Sequence, residues 1–176
     1  MDAGVHHLQG KTKLVTSAEL LAFVTAFYRD KLAMRNRHVA AARHVGDYNI
    51  NNTYQYIVNR DDMHVRWLQD AVVDLGGTPE DQPLPELKPE GKKDAAQRSV
   101  ITADRDAAQK FNERWTPQVD ALPNARHRTL LKVMLGEISE QIRFFEQALA
   151  GRDDLLGKRA DGAGTPGTVL ADRWVN

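Results

Sequence analysis

The sequence predicts an all-α fold, an antiparallel four-helix bundle with a long crossover between helices 2 and 3. Two observations support this prediction. Apolar residues recur at steps of three and four along four long stretches between residues 16 and 150, the spacing of a helix face turned toward a core. Residues 80–91 break the pattern with three prolines and cannot be helical.

This proline-rich segment has the length that a crossover needs. At about 3.1 Å per residue, a dozen extended residues reach roughly 40 Å. A helix of about 27 residues at 1.5 Å per residue spans a similar length. The segment can therefore run along the whole bundle, so that the third helix starts at the end where the second began.

Capping residues predict the boundaries of the first hairpin. Thr16 and Glu19 form the pattern of a capping box at the start of the first helix, and nothing breaks that helix before Gly46. Asp47 caps the second helix, which runs to Leu75. Such a short connection predicts two antiparallel neighbours.

The second hairpin is bounded in the same way. The third helix runs from about Lys92 to Trp115 and is ended by Pro117 and the turn over residues 121–124. Asn124 caps the fourth helix, and Gly151 closes it. The inner face of the fourth helix is predicted to carry seven residues: Leu130, Val133, Met134, Glu137, Glu140, Gln141 and Phe144.

Composition limits the function classes. The 176 residues are the size of one ordinary domain, and 24 Lys plus Arg balance 24 Asp plus Glu. Balanced charge gives no net attraction to nucleic acid or an anionic membrane, and no stretch approaches the roughly 20 apolar residues that span a bilayer. The lack of cysteine excludes thiolate ligands and disulfides. Without a secretory signal pattern, we expect a cytoplasmic protein with neither a nucleic-acid nor a membrane partner.

Ionisable residues interrupt the predicted core at the middle of the bundle. Asp61 and His64 lie three residues apart in the apolar stripe of the second helix, Asp104 lies in that of the third, and Glu137 and Glu140 lie in that of the fourth. Buried carboxylates are normally paired, hydrogen-bonded or bound to a metal, because an unpaired charge in a core is costly. The pattern therefore predicts either a metal centre or a polar network.

Two helical hairpins joined by a bundle-length crossover, with inward acids, resemble the ferritin-like proteins, which include ferritins, bacterioferritins and rubrerythrins. The resemblance covers roughly residues 16–150, and Trp67-Leu68 and Leu75-Gly76-Gly77 look rubrerythrin-like. It implies a dinuclear metal centre with one Glu each from helices 1 and 3 and a Glu-x-x-His from helices 2 and 4. By the family's spacing, the ligand positions are Tyr28, Asp61, His64, Asp104, Glu137 and Glu140.

The internal spacing of these positions is regular, since 33 residues separate Tyr28 from Asp61 and Asp104 from Glu137. Three departures from the family pattern stand out. Tyr28 replaces a carboxylate, Asp61 and Asp104 are one methylene shorter than Glu, and Glu140 replaces the second His.

A carboxylate-rich, imidazole-poor site suits Fe or Mn better than Cu or Zn. The resemblance then implies that Asp61, Asp104 and Glu137 ligate and that His64 completes one metal. Glu140 would serve in place of the missing His, and Tyr28 would be a weak ligand or redox neighbour. The implied function is oxidase-type chemistry on dioxygen or peroxide, or iron handling.

The alternative is a metal-free network of salt bridges in a disused site, with Arg35 as a neutralising partner. Four carboxylates with one imidazole exceed what Arg35 and Tyr28 neutralise, so some acids would be protonated. On this hypothesis, Asp61→Asn removes a crowded acid and stabilises the protein. The function would be that of a non-catalytic structural or assembly subunit.

The chain divides into an N-terminal lead-in over residues 1–15, the bundle over 16–150 and a Gly-rich C-terminal tail over 151–176. Residues 157–167 have too little apolar surface to offset the entropy of ordering them alone, yet four apolar residues lie near the end of the tail: Val169, Leu170, Trp174 and Val175. We therefore expect the tail to be ordered only against another surface, and the protein to be a homo-oligomer or to bind a protein partner through the tail.

Overall fold

The computed structural model describes residues 16–157, and this part of the chain folds into four long α-helices without a β-strand. The helices are α1 (Ser17–Ala42), α2 (Tyr48–Asp74), α3 (Asp94–Asp120) and α4 (Ala125–Leu149). The predicted fold class is confirmed. The lead-in over residues 1–15 and most of the predicted tail lie outside the described residues.

Three of the predicted helix starts are built as expected. The Thr16 side chain accepts a hydrogen bond from the Glu19 amide, and the Glu19 carboxylate accepts one from the Thr16 amide, which completes the capping box. Asp47 and Asn124 cap α2 and α4 by accepting hydrogen bonds from backbone amides three residues ahead. These bonds satisfy amides that have no partner within the helix.

Helix α1 ends four residues before Gly46. The Asn51 side chain donates 3.0 Å to the Ala42 carbonyl, which satisfies one of the unpaired oxygens at the helix end. Val45 then turns back into the core, where it is 1% exposed. A polar side chain from α2 and a buried valine therefore end this helix, and the glycine follows later.

Helix α3 continues through Pro117 to Asp120, so of its two predicted terminators the turn over residues 121–124 is confirmed and Pro117 is wrong. A proline in the last turns removes only one backbone hydrogen bond, that of its missing N–H. The turn beyond it buries Val119 completely, and Leu122 follows it into the core. Burial of these side chains outweighs the lost bond.

The crossover runs along α1, as its length predicts. Near its start the Glu80 carbonyl accepts a hydrogen bond from Tyr28, and the Gln82 carbonyl accepts one from Asn36, two turns further along α1. Leu87 then packs on the apolar cluster at the far end of the bundle. The chain thus returns to the end where α2 began, and the Gln97 side chain of α3 accepts a hydrogen bond from the Asp47 amide.

The inner face of α4 is rotated from the predicted one. Its buried residues are Leu131, Met134, Leu135, Ile138, Gln141 and Phe145. Val133, expected inside, is 48% exposed, and Glu140 and Phe144 are half-buried. Two stripes one residue apart both have helical spacing here, and packing against α3 selects the stripe that carries Ile138 and Phe145.

Two apolar clusters fill the bundle and leave a polar layer between them. One cluster contains Phe27, Leu68, Phe111 and Trp115, and the other contains Ile57 and Phe145 with the adjoining ends of the helices. By position along the four helices, the polar layer lies between the clusters. It consists of Lys31, Arg37, His38, Tyr54, Arg60, Asp61, His64, Asp104, Glu137 and Gln141.

None of the helices within residues 16–157 combines the length and hydropathy that a membrane span requires. The cytoplasmic location stays a prediction.

Candidate functional site

Asp61 is the most heavily bonded acid of the polar layer. Its Oδ1 lies 2.5 Å from the Lys31 Nζ and accepts a second hydrogen bond from Gln141 Nε2 at 2.9 Å. Its Oδ2 lies 2.7 Å from His38 Nδ1. Because an ionised carboxylate only accepts, His38 donates through Nδ1 in this contact. One carboxylate thus joins side chains of α1, α2 and α4.

The Lys31–Asp61 pair is completely buried, with 0% exposure of both side chains. Burial disfavours the charged form of Asp61, but the Lys31 ammonium and the hydrogen bond from His38 outweigh this and hold its pKa below the usual range. Asp61 is therefore an anion, and Lys31 is its cation.

Asp104 is bonded to a different cation. Arg37 Nε lies 2.6 Å from its Oδ1, and the Tyr54 hydroxyl donates 2.6 Å to its Oδ2. Burial raises the pKa of Asp104 despite the opposing effects of His38, Tyr54 and Arg37. Burial and the adjacent carboxylate also raise the pKa of Tyr54 well above its ordinary value, so the tyrosine stays protonated and donates.

Glu137 of α4 faces α2 and is bound by two residues of α2, Arg60 and His64. Both guanidinium nitrogens Nε and Nη2 of Arg60 donate to the carboxylate, and His64 Nε2 lies 2.8 Å from Glu137 Oε2. Burial and the Lys31 ammonium lower the pKa of His64 to about 4, against the opposing effect of Glu137. At neutral pH His64 is therefore uncharged and donates a hydrogen bond to Glu137.

The structure brings His64 and Glu137 together and gives the other predicted ligands separate surroundings. Tyr28 is buried, but its hydroxyl donates 2.9 Å to the crossover carbonyl of Glu80. Glu140 is half-buried, and its charge adds a small contribution to the raised pKa of Arg60, which is due mainly to the hydrogen bond with Glu137. Asp61 and Asp104 each bind cations from α1. The assignment of these six residues as metal ligands stays a prediction.

Arg35 does not neutralise an inward acid. Its Nε binds Asp62 at 2.6 Å, and Asp62 is 44% exposed, so this pair lies at the margin of the bundle. The cations inside the polar layer are Lys31, Arg37 and Arg60.

Sequence reasoning missed Lys31 and His38, although a signal for both was present. Val24, Phe27, Lys31, Met34, His38 and Ala41 follow one another at steps of three and four, and all six are buried. A lysine inside an apolar stripe, on a helix beside one that carries a buried aspartate, indicates an internal ion pair. The expected spacing pointed instead to Tyr28, three residues earlier.

The donor set, as residues 16–157 place it, does not fit a carboxylate-bridged metal pair. Residues 16–157 contain no group of three or more His, Asp or Glu side chains placed to share a metal ion. All six carboxylate oxygens of Asp61, Asp104 and Glu137 have protein donors. A cation bridging these acids would have to displace Lys31 and Arg60 from their bonds.

Comparison with known proteins supports the fold. No family model matches the sequence, and no curated protein matches it. Among solved structures, it is similar to a ferritin-like, diiron-carboxylate protein from Bacillus anthracis strain Ames. The TM-score is 0.59 at 15% identity, over 77% of this chain and 99% of that one. The protein therefore has the ferritin-like four-helix fold.

Removing Lys31 tests the buried pair. We expect Lys31→Met to reduce the free energy of unfolding by about 3–5 kcal/mol, because it leaves the buried Asp61 charge without its cation. The exposed pair of Lys132 and Asp120 is the control, and Lys132→Met should cost about 1 kcal/mol or less. Urea unfolding measures both. Equal, small losses would show that Lys31 is not the counter-ion of a buried charge.

The lowered pKa of His64 predicts an acid-labile fold. A base whose pKa falls from 6.5 unfolded to about 4 folded stabilises the protein fully above pH 6.5 and loses that contribution as the pH falls toward 4. The loss is on the order of 3 kcal/mol. Asp104 acts in the opposite sense, because its raised pKa favours the folded state as the pH falls.

Comparison of wild type with His64→Gln isolates the histidine contribution, since Asp104 is common to both proteins. Gln retains a donor for Glu137 but does not titrate. Urea unfolding at pH values from 4 to 7 should show a steeper loss of stability for wild type than for the variant. Parallel profiles of stability against pH for the two proteins would contradict the lowered pKa of His64 in the folded state.

Proposed function

We propose that this protein is a ferritin-like bundle whose centre is held by internal ion pairs, and that it acts as a structural or assembly subunit without a catalytic metal. The observation that carries the proposal is the Lys31 Nζ, fully buried and 2.5 Å from Asp61. The Lys31 ammonium therefore lies beside Asp61, the carboxylate that the family resemblance assigns as a metal ligand.

The ion pairs provide the cross-linking that a shared metal would otherwise supply. Asp61 of α2 binds α1 and α4, through Lys31 and Gln141. Asp104 joins α3 to α1 and α2, and Glu137 joins α4 to α2. All four helices are therefore connected through three carboxylates. Each of the three carboxylates is paired with one cation of the chain, Lys31, Arg37 or Arg60. This pairing removes the main electrostatic need for a metal.

The subunit role includes a contact with another protein surface. The sequence favours a homo-oligomer or a protein partner bound through the C-terminal tail, because the apolar residues near its end follow a segment that has little apolar surface of its own. This contact is part of the proposal.

A second candidate function is a carboxylate-bridged Fe or Mn protein of the oxidase or iron-handling type. Two observations favour it. Three polar atoms next to the acids are buried and unpartnered among residues 16–157: His38 Nε2, His64 Nδ1 and Gln141 Oε1. The similar solved structure is also described as a diiron-carboxylate protein. Such a metal would bring redox chemistry on dioxygen or peroxide.

Metal content and metal-dependent stability separate the two candidates. Wild type purified without a chelator or a His tag should hold less than stoichiometric Fe or Mn, and its melting temperature should not respond to Fe(II) or Mn(II). Lys31→Glu replaces the internal cation with a carboxylate beside Asp61, His38 and Gln141. We expect this variant to gain stability from Mn(II), because a cation then offsets the buried acids.

Lys132→Glu is the matched control, since it makes the same charge reversal at an exposed site and should respond to Mn(II) as wild type does. If Lys31→Glu does not fold, the wild-type measurement still decides. Stoichiometric metal in wild type, or a large rise in its melting temperature with Fe(II) or Mn(II), would contradict the metal-free proposal and favour the second candidate.

The earlier expectation for Asp61→Asn is now reversed. With Lys31 in contact, loss of the acid leaves a buried ammonium unpaired, so the substitution destabilises the protein even when no metal is involved.

A further inference from the structure

An apolar groove lies between α2 and α4, on the outside of the bundle. It encloses about 580 Å³, and its apolar lining includes Trp67, Leu130 and Val133. Trp67 is 38% exposed and Val133 is 48% exposed. Met63, one helical turn before Trp67, is also 48% exposed and extends the apolar surface along α2. Contiguous apolar side chains that line a groove are a candidate docking surface, whereas scattered exposed ones need no explanation.

The two walls of the groove carry opposite charges. Asp70 and Asp74 line it from α2, and Arg126 lines it from α4. An occupant that suits the groove has apolar side chains for its floor and charges of both signs close together.

The C-terminal segment over residues 168–176 has this composition. Val169 and Leu170 form one apolar pair, Trp174 and Val175 form another, and Asp172 and Arg173 lie between the pairs. Arg173 is complementary to the aspartates of α2, and Asp172 to Arg126 of α4. The segment offers apolar area and both charges within seven residues.

The connecting chain is long enough to reach the groove within one molecule. Along α4, the distance from Leu149 back to Leu130 is about 28 Å at 1.5 Å per residue. The twelve residue-to-residue steps from Gly157 to Val169 span up to about 40 Å when the chain is extended. The linker thus covers the distance with slack, and its glycines offer little resistance to bending.

From these observations, we infer that residues 168–176 of the same chain dock in the α2–α4 groove and cover Trp67 and Val133. This interaction does not depend on whether the bundle binds a metal. It gives the tail a surface on its own bundle in place of the partner surface that the subunit role assigns to it, and the products of disulfide trapping distinguish the two.

Disulfide trapping in the full chain tests the inference, and it is clean because the protein contains no cysteine. The pair Thr129→Cys with Ala171→Cys joins the groove to the middle of the segment. A disulfide requires Cα atoms within about 7 Å. We expect mild oxidation to form an intrachain disulfide at least about tenfold faster than in the control pair Thr116→Cys with Ala171→Cys, a ratio that corresponds to about 1.4 kcal/mol.

Thr116 is a suitable control because it is an exposed threonine on α3, outside the residues that line the groove. Equal rates for the two pairs would overturn the inference. Disulfide-linked dimers in place of intrachain products would also overturn it, because they would place the segment of a second copy in the groove.

Hydrogen exchange of the cysteine-free chain provides a second measurement. Val133→Asp places a charge in the groove, and the backbone amides of residues 168–176 should then exchange at least about tenfold faster than in wild type. Val73→Asp is the matched control, since Val73 is 57% exposed on α2 but does not line the groove. Rapid exchange of the segment in wild type, equal to that in Val133→Asp, would contradict docking.

Discussion

The ion pair between Lys31 and Asp61 is the interaction on which the centre of the bundle depends. Either charge alone would be a large penalty in a core, since breaking a buried pair costs about 3–5 kcal/mol. Lys31 and Asp61 offset each other's charge, and His38 and Gln141 are further hydrogen-bond partners of Asp61. These contacts join side chains of α1, α2 and α4. The pair therefore constrains the rotation and register of these three helices, whereas apolar contacts tolerate alternatives.

The same constraint explains why a ferritin-like fold can exist here with a different centre. Four inward acids without cations would repel one another, and a metal is one way to offset that repulsion. In this chain Lys31, Arg37 and Arg60 offset it from within. The surrounding apolar clusters do not depend on which kind of cation is used, so the same four-helix architecture accommodates the metal-free centre proposed above.

Much of the fold follows from local features of the sequence, and the centre follows less completely. Capping residues and helical spacing predict the helices, because these signals act within one turn. The prolines and the length of residues 80–91 predict the crossover. The buried acids Asp61 and Asp104 are also visible as interruptions of apolar stripes. The inner face of α4 cannot be read from the sequence, because the stripe through Val133 and Glu140 and the stripe through Leu131 and Ile138 both have helical spacing, and only packing chooses between them. Spacing borrowed from the family led to Tyr28, while the stripe of α1 itself contains Lys31.

A crystal structure of the protein grown with Mn(II), with anomalous scattering collected for the metal, shows directly whether Lys31 or a metal ion neutralises Asp61. We expect Lys31 Nζ within hydrogen-bonding distance of Asp61 and no anomalous peak at the centre of the bundle. A peak within about 2.5 Å of Asp61, His64 or Glu137, with Lys31 turned away from Asp61, would contradict this expectation.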